Sequence, residues 1–405
     1  MLKRISVKHL QPGMYVANIA QTGISLHQHE REGRVKDAAT ISALIKRGIK
    51  HVYIDTEQGS DSQHAQPPSI IDSELEQKIE QIVETPTKPN SRTPLKEEFS
   101  RAQQLHKQAL SLVGQAMAYA KTGKPVEVEP FQDMASSFIA SIFRNQDALA
   151  CLCRIRDKDS YLMEHSVNVS VLMGILGKHL ELEADYLNHC VTGALLHDIG
   201  KILIPDRVLH KPGKLNDEEF TTMKQHATFS QQILQQNEHF PQPCINIAGQ
   251  HHERLDGKGY PLGLQGEEIS QEGRMVAVVD VYDAITANRV YHKGMTPNSG
   301  FKRLLEWSGP HLDTQYVHAF IKAMGIYPIG SVVELSNRKL AIVQEETKDT
   351  MRPAVRIFYD LNINSHCPQA KIDLTKNTDL SIIGSVDPNS HGIDVIPLLN
   401  RPIFE

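Results

Sequence analysis

Apolar and polar residues alternate with a period of two at the start of the chain. Ile5 and Val7, then Met14 and Val16, flank the turn Gln11-Pro12-Gly13, which predicts two short strands. Asp37 stands where an N-cap is expected for a helix through Ile41, Leu44 and Ile45 that ends near Gly48. A strand, His51-Val-Tyr-Ile54, completes a small α+β unit. Residues 57–70 are polar and carry Pro67-Pro68, so they read as a linker. A short helix over 73–83 follows. Residues 85–95, with three prolines, read as a second flexible segment. Helical patterns then run over 97–121 and 131–149, suited to packing within one subunit or to a homodimer.

Between 160 and 325 the period changes to that of helices. Candidates cover 161–179, 185–198, 217–236, 244–252, 273–288, 297–306 and 313–324, and Asn216 with Glu219 resembles a capping box. After Gly325 the runs Ser331–Leu335, Leu340–Val343 and Ala354–Phe358 are β-like, separated by turn residues such as Asn337 and Pro353. The expected architecture is multidomain and mainly α. An α+β N-terminal domain occupies 1–70, a linker and helical connector 71–129, an all-helical core 130–325 and a small β-rich appendage 326–405.

Composition narrows the classes. A chain of 405 residues, 40% hydrophobic and 22% charged, has the make-up of an ordinary globular protein. A formal charge of −5 argues against broad binding to a nucleic-acid polymer, but leaves room for a small anion in a local basic pocket. No stretch approaches the roughly 20 apolar residues of a membrane span, and Met1-Leu-Lys-Arg does not open a secretory signal. Cys151, Cys153, Cys190, Cys244 and Cys367 form an odd, scattered set that reads as reduced thiols in a cytoplasm.

The chemistry centres on His197-Asp-Ile-Gly-Lys201, which closes the apolar run Val191–Leu196. On a helix, His197 and Asp198 point about 100° apart, and Lys201 lies one turn further on the same surface. His165, His226, His251, His252 and Asp280 complete an ordered set of five imidazoles and two carboxylates. Taken singly, each has a plain alternative, a surface histidine or a local cap. Together they suit two divalent cations of the iron, manganese or zinc kind rather than magnesium or calcium.

This order and spacing resembles the HD superfamily of metal-dependent phosphohydrolases. The segment His251-His-Glu-Arg-Leu-Asp-Gly-Lys-Gly-Tyr-Pro261 is similar to the motif of its HD-GYP family, which hydrolyses cyclic dinucleotides, chiefly cyclic di-GMP. Tyr161–Val169, Ile204-Pro-Asp206, Lys211–Leu215 and Val278–Ala284 also match, so the resemblance covers roughly 150–325. Residues 1–55 resemble the small domain of unknown function that often precedes this family, a regulatory module through which protein partners could act.

The resemblance implies metal ligands His165, His197, Asp198, His226, His251, His252 and Asp280, with Asp198 bridging two ions. A hydroxide supplied by the two ions would then attack phosphorus in line with the departing 3′ oxygen. It implies that Lys201 contacts a nonbridging phosphate oxygen. Substrate contacts fall to Tyr260, Arg289 and His292; the family more often has a basic residue at position 292, so Lys293 is the alternative. Tyr260 would stack on a base or bond a phosphate, with Gly257 and Gly259 supplying backbone freedom; a rigid turn is the plainer reading. Asp283 would orient a ligand histidine or pair with Arg289. Some family members bind a third metal through a Glu four residues before the first histidine, and Tyr161 stands there instead. Two metals are therefore expected, with the linear 5′-phosphorylated dinucleotide as product and mononucleotide as the alternative end point. Cyclic GMP-AMP as substrate, a catalytically silent binding module and a generic HD nucleotidase are the competing readings.

Overall fold

The computed structural model describes residues 1–19, 33–46, 49–83, 93–154, 161–287 and 294–393. They divide into two compact units, Met1–Glu80 and Gln81–Glu405.

In the first unit, β1 (Leu2–Ser6), β2 (Tyr15–Ile19), β3 (Gly33–Arg34) and β4 (His51–Asp55) form an antiparallel sheet of order β1-β4-β2-β3. The alternation at the start of the chain works as expected: Ile5 lies opposite Val52, and Ile5, Met14, Val16, Val52 and Ile54 are buried in one cluster. Helix α1 (Ala38–Lys46) brings Leu44 to that cluster, and Asp37 Oδ1 accepts from Thr40 N at 2.8 Å, as an N-cap should. The expected helix end near Gly48 lies outside the described residues. Residues 57–66 are not a free linker. Gln66 and Arg4 exchange two backbone hydrogen bonds of 2.8 Å, because the edge of β1 offers unpaired amides and carbonyls that an extended segment can satisfy. Pro68 then opens α2 (Pro68–Val83), five residues earlier than the sequence pattern suggests.

The second unit begins with two long helices, α3 (Leu95–Lys121) and α4 (Glu129–Leu152), packed along each other. The proline-rich segment before them falls mostly outside the described residues. Helix α4 breaks at Asn145, whose side chain donates to Thr93 O at 2.8 Å and accepts from Asp147 N at 3.1 Å. Helices α5 (Tyr161–His179), α6 (Ala184–Leu196), α7 (Asp206–Leu209), α8 (Asp217–Gln235), α9 (Gln242–Gln250), α10 (Gln271–Thr286), α11 (Pro297–Trp307) and α12 (Thr314–Met324) follow. The capping box at Asn216 and Glu219 is complete in both directions. Residues 164–177 of α5 are all buried, which marks it as the central helix of the bundle, with α10, α6 and α4 packed round it.

The tail is an antiparallel sheet of five strands, β5 (Val332–Leu335), β6 (Lys339–Glu345), β7 (Ala354–Asp360), β8 (Ser365–Asp373) and β9 (Ile382–Ser385), in the order β8-β7-β6-β5-β9. Three strands were legible; β8 and β9 are sheet edges whose exposed side chains show no apolar alternation. The sheet rests on the helices: Val332, Leu340, Ile342 and Phe358 cluster with Cys151, and Arg154 Nη1 donates to Ser331 Oγ at 2.6 Å. Among the described residues no helix is long and apolar enough to cross a membrane.

Glu98 of α3 is fully buried and holds α4 through Arg144 (2.7 and 2.8 Å) and Ser141 (2.8 Å). Arg144 is 38% exposed, so solvent screens part of this pair. Glu98→Ala is expected to lower the unfolding free energy by about 2–3 kcal/mol, read from urea titration.

Candidate metal centre

The sequence places His197 and Asp198 inside a helix, but the structure ends α6 at Leu196. His197 is the C-cap, and Asp198 leads into a 3-10 turn over Ile199–Leu203. The cause is packing. Gly200 lies against α8 so closely that a Cβ there would stand 2.3 Å from His226 O and 2.4 Å from Ser230 N, and its own amide donates to Ser230 Oγ at 2.9 Å. An L side chain at 200 would push the turn off α8. The tight turn therefore brings Asp198 beside His226.

The other candidates come from four further elements: His165 from α5, His226 from α8, Asp280 from α10, and His251-His252 from the end of α9. Six of the seven are at least 96% buried, and the His252 side chain is 12% exposed. The structure brings all seven together. The two oxygens of Asp198 face different partners: Oδ2 lies 3.4 Å from the Nε2 atoms of both His165 and His197, whereas Oδ1 lies 3.4 Å from His226 Nε2 and 3.7 Å from His251 Nε2. Asp280 reaches His165 Nε2 at 3.0 Å and His197 Nε2 at 3.8 Å through Oδ1, and His252 Nδ1 at 3.7 Å through Oδ2.

The imidazoles are aimed by their outer nitrogens. His197 Nδ1 meets Ala194 O at 2.8 Å, His226 Nδ1 meets Met223 O at 2.7 Å, and His251 Nδ1 meets Ala248 O at 3.0 Å. A carbonyl only accepts, so each Nδ1 carries the proton and each Nε2 turns a lone pair inward. His165 Nδ1 is held at 2.7 Å by Asp283 Oδ2, the orienting role expected of Asp283; its alternative partner, Arg289, lies outside the described residues. Burial keeps His226 and His251 neutral, down to about 4 and about 3, and His252 well below its ordinary value. Burial also opposes charge on His165, but hydrogen bonds donated by its ring to Asp280 and Asp283 outweigh it and lift the group to about 9. Asp198, despite its burial, is held well below the carboxylate range by Lys201 and His197.

These residues fit divalent cations. The Nε2 atoms of His226 and His251 face each other at 3.2 Å, and with both outer nitrogens protonated two lone pairs oppose. His197 Nε2, Asp198 Oδ1, His252 Nδ1 and Asp280 Oδ2 are buried without a hydrogen-bond partner. Ligands about 2.1 Å from one ion stand about 3.0–3.4 Å apart in octahedral or tetrahedral geometry, close to the shortest spacings here. Among the described residues three overlapping donor sets arise: His165, His197 and Asp280; His197, Asp198 and His251; His226, His251 and His252.

Lys201 lies on the 3-10 turn rather than one α-helical turn on, and its ammonium pairs with Asp198 Oδ2. The Tyr260 ring sits 4.7 Å from His252 and 6.2 Å from His226. Gly257 has φ +71°, the freedom expected of it. Gly259 does not need that freedom; it is small because a Cβ would stand 2.5 Å from Glu253 Cα. Tyr161 stacks on His165, with ring centroids 6.2 Å apart. Arg289, His292 and Lys293 lie outside the described residues. Glu253, buried beside the paired histidines, was not legible, since nothing in its position distinguishes it from a surface glutamate.

Family comparisons agree with this constellation. An HD domain model matches residues 152–316, a domain of unknown function (DUF3391) residues 2–131, and a KOW domain associated with HD domain residues 332–393. A cyclic di-GMP phosphodiesterase of Pseudomonas aeruginosa is 34% identical over 96% of this chain and 92% of its own length. The chain belongs to the HD-GYP family of the HD superfamily. A cyclic di-GMP phosphodiesterase of Thermotoga maritima is 38% identical, covering 45% of this chain and 49% of its own. A 3'3'-cGAMP-specific phosphodiesterase of Vibrio cholerae is 37% identical, covering 44% of this chain and 41% of its own.

Gly200→Ala is expected to destabilise the second unit by about 3 kcal/mol, because two backbones and not a flexible side chain must yield. Thermal unfolding, with the metal content of purified variant and wild type counted beside it, measures the loss.

Proposed function

We propose that this protein hydrolyses a cyclic dinucleotide, with cyclic di-GMP as first substrate, to the linear 5′-phosphorylated dinucleotide. The observation that carries this reading is the Asp198 carboxylate, buried with one oxygen toward His165 and His197 and the other toward His226 and His251. The Pseudomonas aeruginosa relative, matched over nearly the whole of both chains, supports the substrate class. His165, His197, Asp198 and Asp280 would hold one divalent cation, and Asp198, His226, His251 and His252 a second. Iron or manganese suits this nitrogen-rich set best, with zinc next. Such a pair, when bound, supplies Lewis acidity and a water acidic enough to ionise near neutral pH.

The chain's own groups do the rest. Lys201, its side chain 17% exposed, places an ammonium at the rim of the cluster, where it can offset charge gathering on a nonbridging phosphate oxygen. Tyr260 offers a ring face or a hydroxyl to the nucleotide. Burial raises that hydroxyl well above its ordinary range, so it serves as a hydrogen-bond donor. Arg289, and His292 or Lys293, are carried as substrate contacts by the sequence resemblance. With an aromatic ring at position 161, we expect two metals per chain. The free cysteines fit a cytoplasmic setting. The N-terminal unit would serve regulation or docking, and a homodimer through 97–149 is open to light scattering.

Cyclic GMP-AMP is the second reading, supported by the Vibrio cholerae relative. The test offers both cyclic dinucleotides to anaerobically purified, metal-counted protein, with His197→Ala/Asp198→Ala as control. Linear product from wild type alone is expected, and the ratio of rates names the substrate. Metal-replete protein that turns over neither sinks the proposal. Asp283→Asn is expected to weaken metal retention by about 10–100-fold in a chelator competition, because His165 then loses its anionic support.

A further inference from the structure

The segment carrying Tyr260 has little apolar burial of its own. Pro261 and Leu264 are half-buried, Gly263 is exposed, and the Leu262 side chain is largely in solvent. Hydrogen bonds to one group hold it. Glu253, 1% exposed, accepts from Leu262 N at 2.7 Å and Gly263 N at 3.1 Å through Oε1, and from Leu264 N at 3.0 Å through Oε2. Three successive amides thus converge on one buried carboxylate. On the other side of Tyr260, its own amide donates to His252 O at 3.2 Å, and Gly259 lets the chain pass directly over the Glu253 backbone. The ring is therefore clamped from both sides, against the imidazole of His252.

Glu253 follows the paired histidines but belongs to none of the three donor sets. Its two oxygens are committed to backbone amides, which are partners that stabilise a buried carboxylate. We infer that Glu253 is a positioning residue for the substrate step: by fastening the amides of 262–264 it fixes the Tyr260 ring at the mouth of the metal centre. This rests on the proposed function, in which Tyr260 touches the nucleotide.

The test uses the full chain with metals loaded and Glu253→Gln, which keeps the shape but turns one acceptor into a donor. Hydrogen exchange across 262–264 should quicken by about tenfold or more, with the rest of the chain and the metal content unchanged. For cyclic di-GMP, KM should rise about tenfold while kcat stays within about threefold. In a Tyr260→Ala background the substitution should add nothing further. Unchanged exchange at 262–264, a KM defect that persists in full without Tyr260, or loss of metal from the variant would each overturn the inference. Should Glu253→Gln fail to fold, Glu253→Asp keeps the charge, draws it back by one methylene and is read in the same way. Absence of turnover in the wild type would overturn the function and the substrate role of Glu253 with it, and the exchange result would then decide only whether Glu253 fastens 262–264.

Discussion

A single buried carboxylate sets the terms for this molecule. Asp198 is withdrawn from water with two oxygens facing separate pairs of imidazoles, an arrangement that is costly unless positive charge answers it. The helical part of the second unit is arranged to supply that answer. Helix α6 stops one residue short of His197, the 3-10 turn drops onto α8, and α5, α9 and α10 each deliver a donor to the same small volume. The polarity of the cluster is tolerable because the outer nitrogens of His165, His197, His226 and His251 are each satisfied, by a carbonyl of the residue's own helix or by Asp283.

Two kinds of backbone tightness make this possible. Gly200 allows the turn to touch α8, and Gly259 allows the loop after the paired histidines to double back over Glu253. Both glycines stand at crossings of main chain over main chain. The close approach, and not a left-handed conformation, is what excludes a larger residue at both places.

Much of this was legible in the sequence. The helices over 161–324 appear from their apolar period, and the candidate donors from their residue types and order, because such sets have few other uses. The boundary at Leu196 was not legible: Ile199 and Leu203 continue an apolar pattern, and only the contact of Gly200 with α8 ends the helix. The strands β8 and β9 escaped because an exposed edge leaves no alternation to read. Residues 57–70 read as a linker by their polarity, yet Gln66 pairs with β1 through its backbone, and a main-chain interaction leaves no signature in side-chain composition. Glu253 escaped for the same reason, since its partners are amides.

The seat of the C-terminal sheet has a consequence for how this enzyme family can be rearranged. Cys151 is shared between the end of α4 and the sheet, and Arg154 is tied to Ser331 only eleven residues before His165. A cut after Met324 would therefore strip the cover from an apolar floor and remove the partner of Arg154. The sheet is better regarded as part of the hydrolase's foundation than as cargo, so a chimera that borrows this catalytic bundle must inherit residues to 393 along with it.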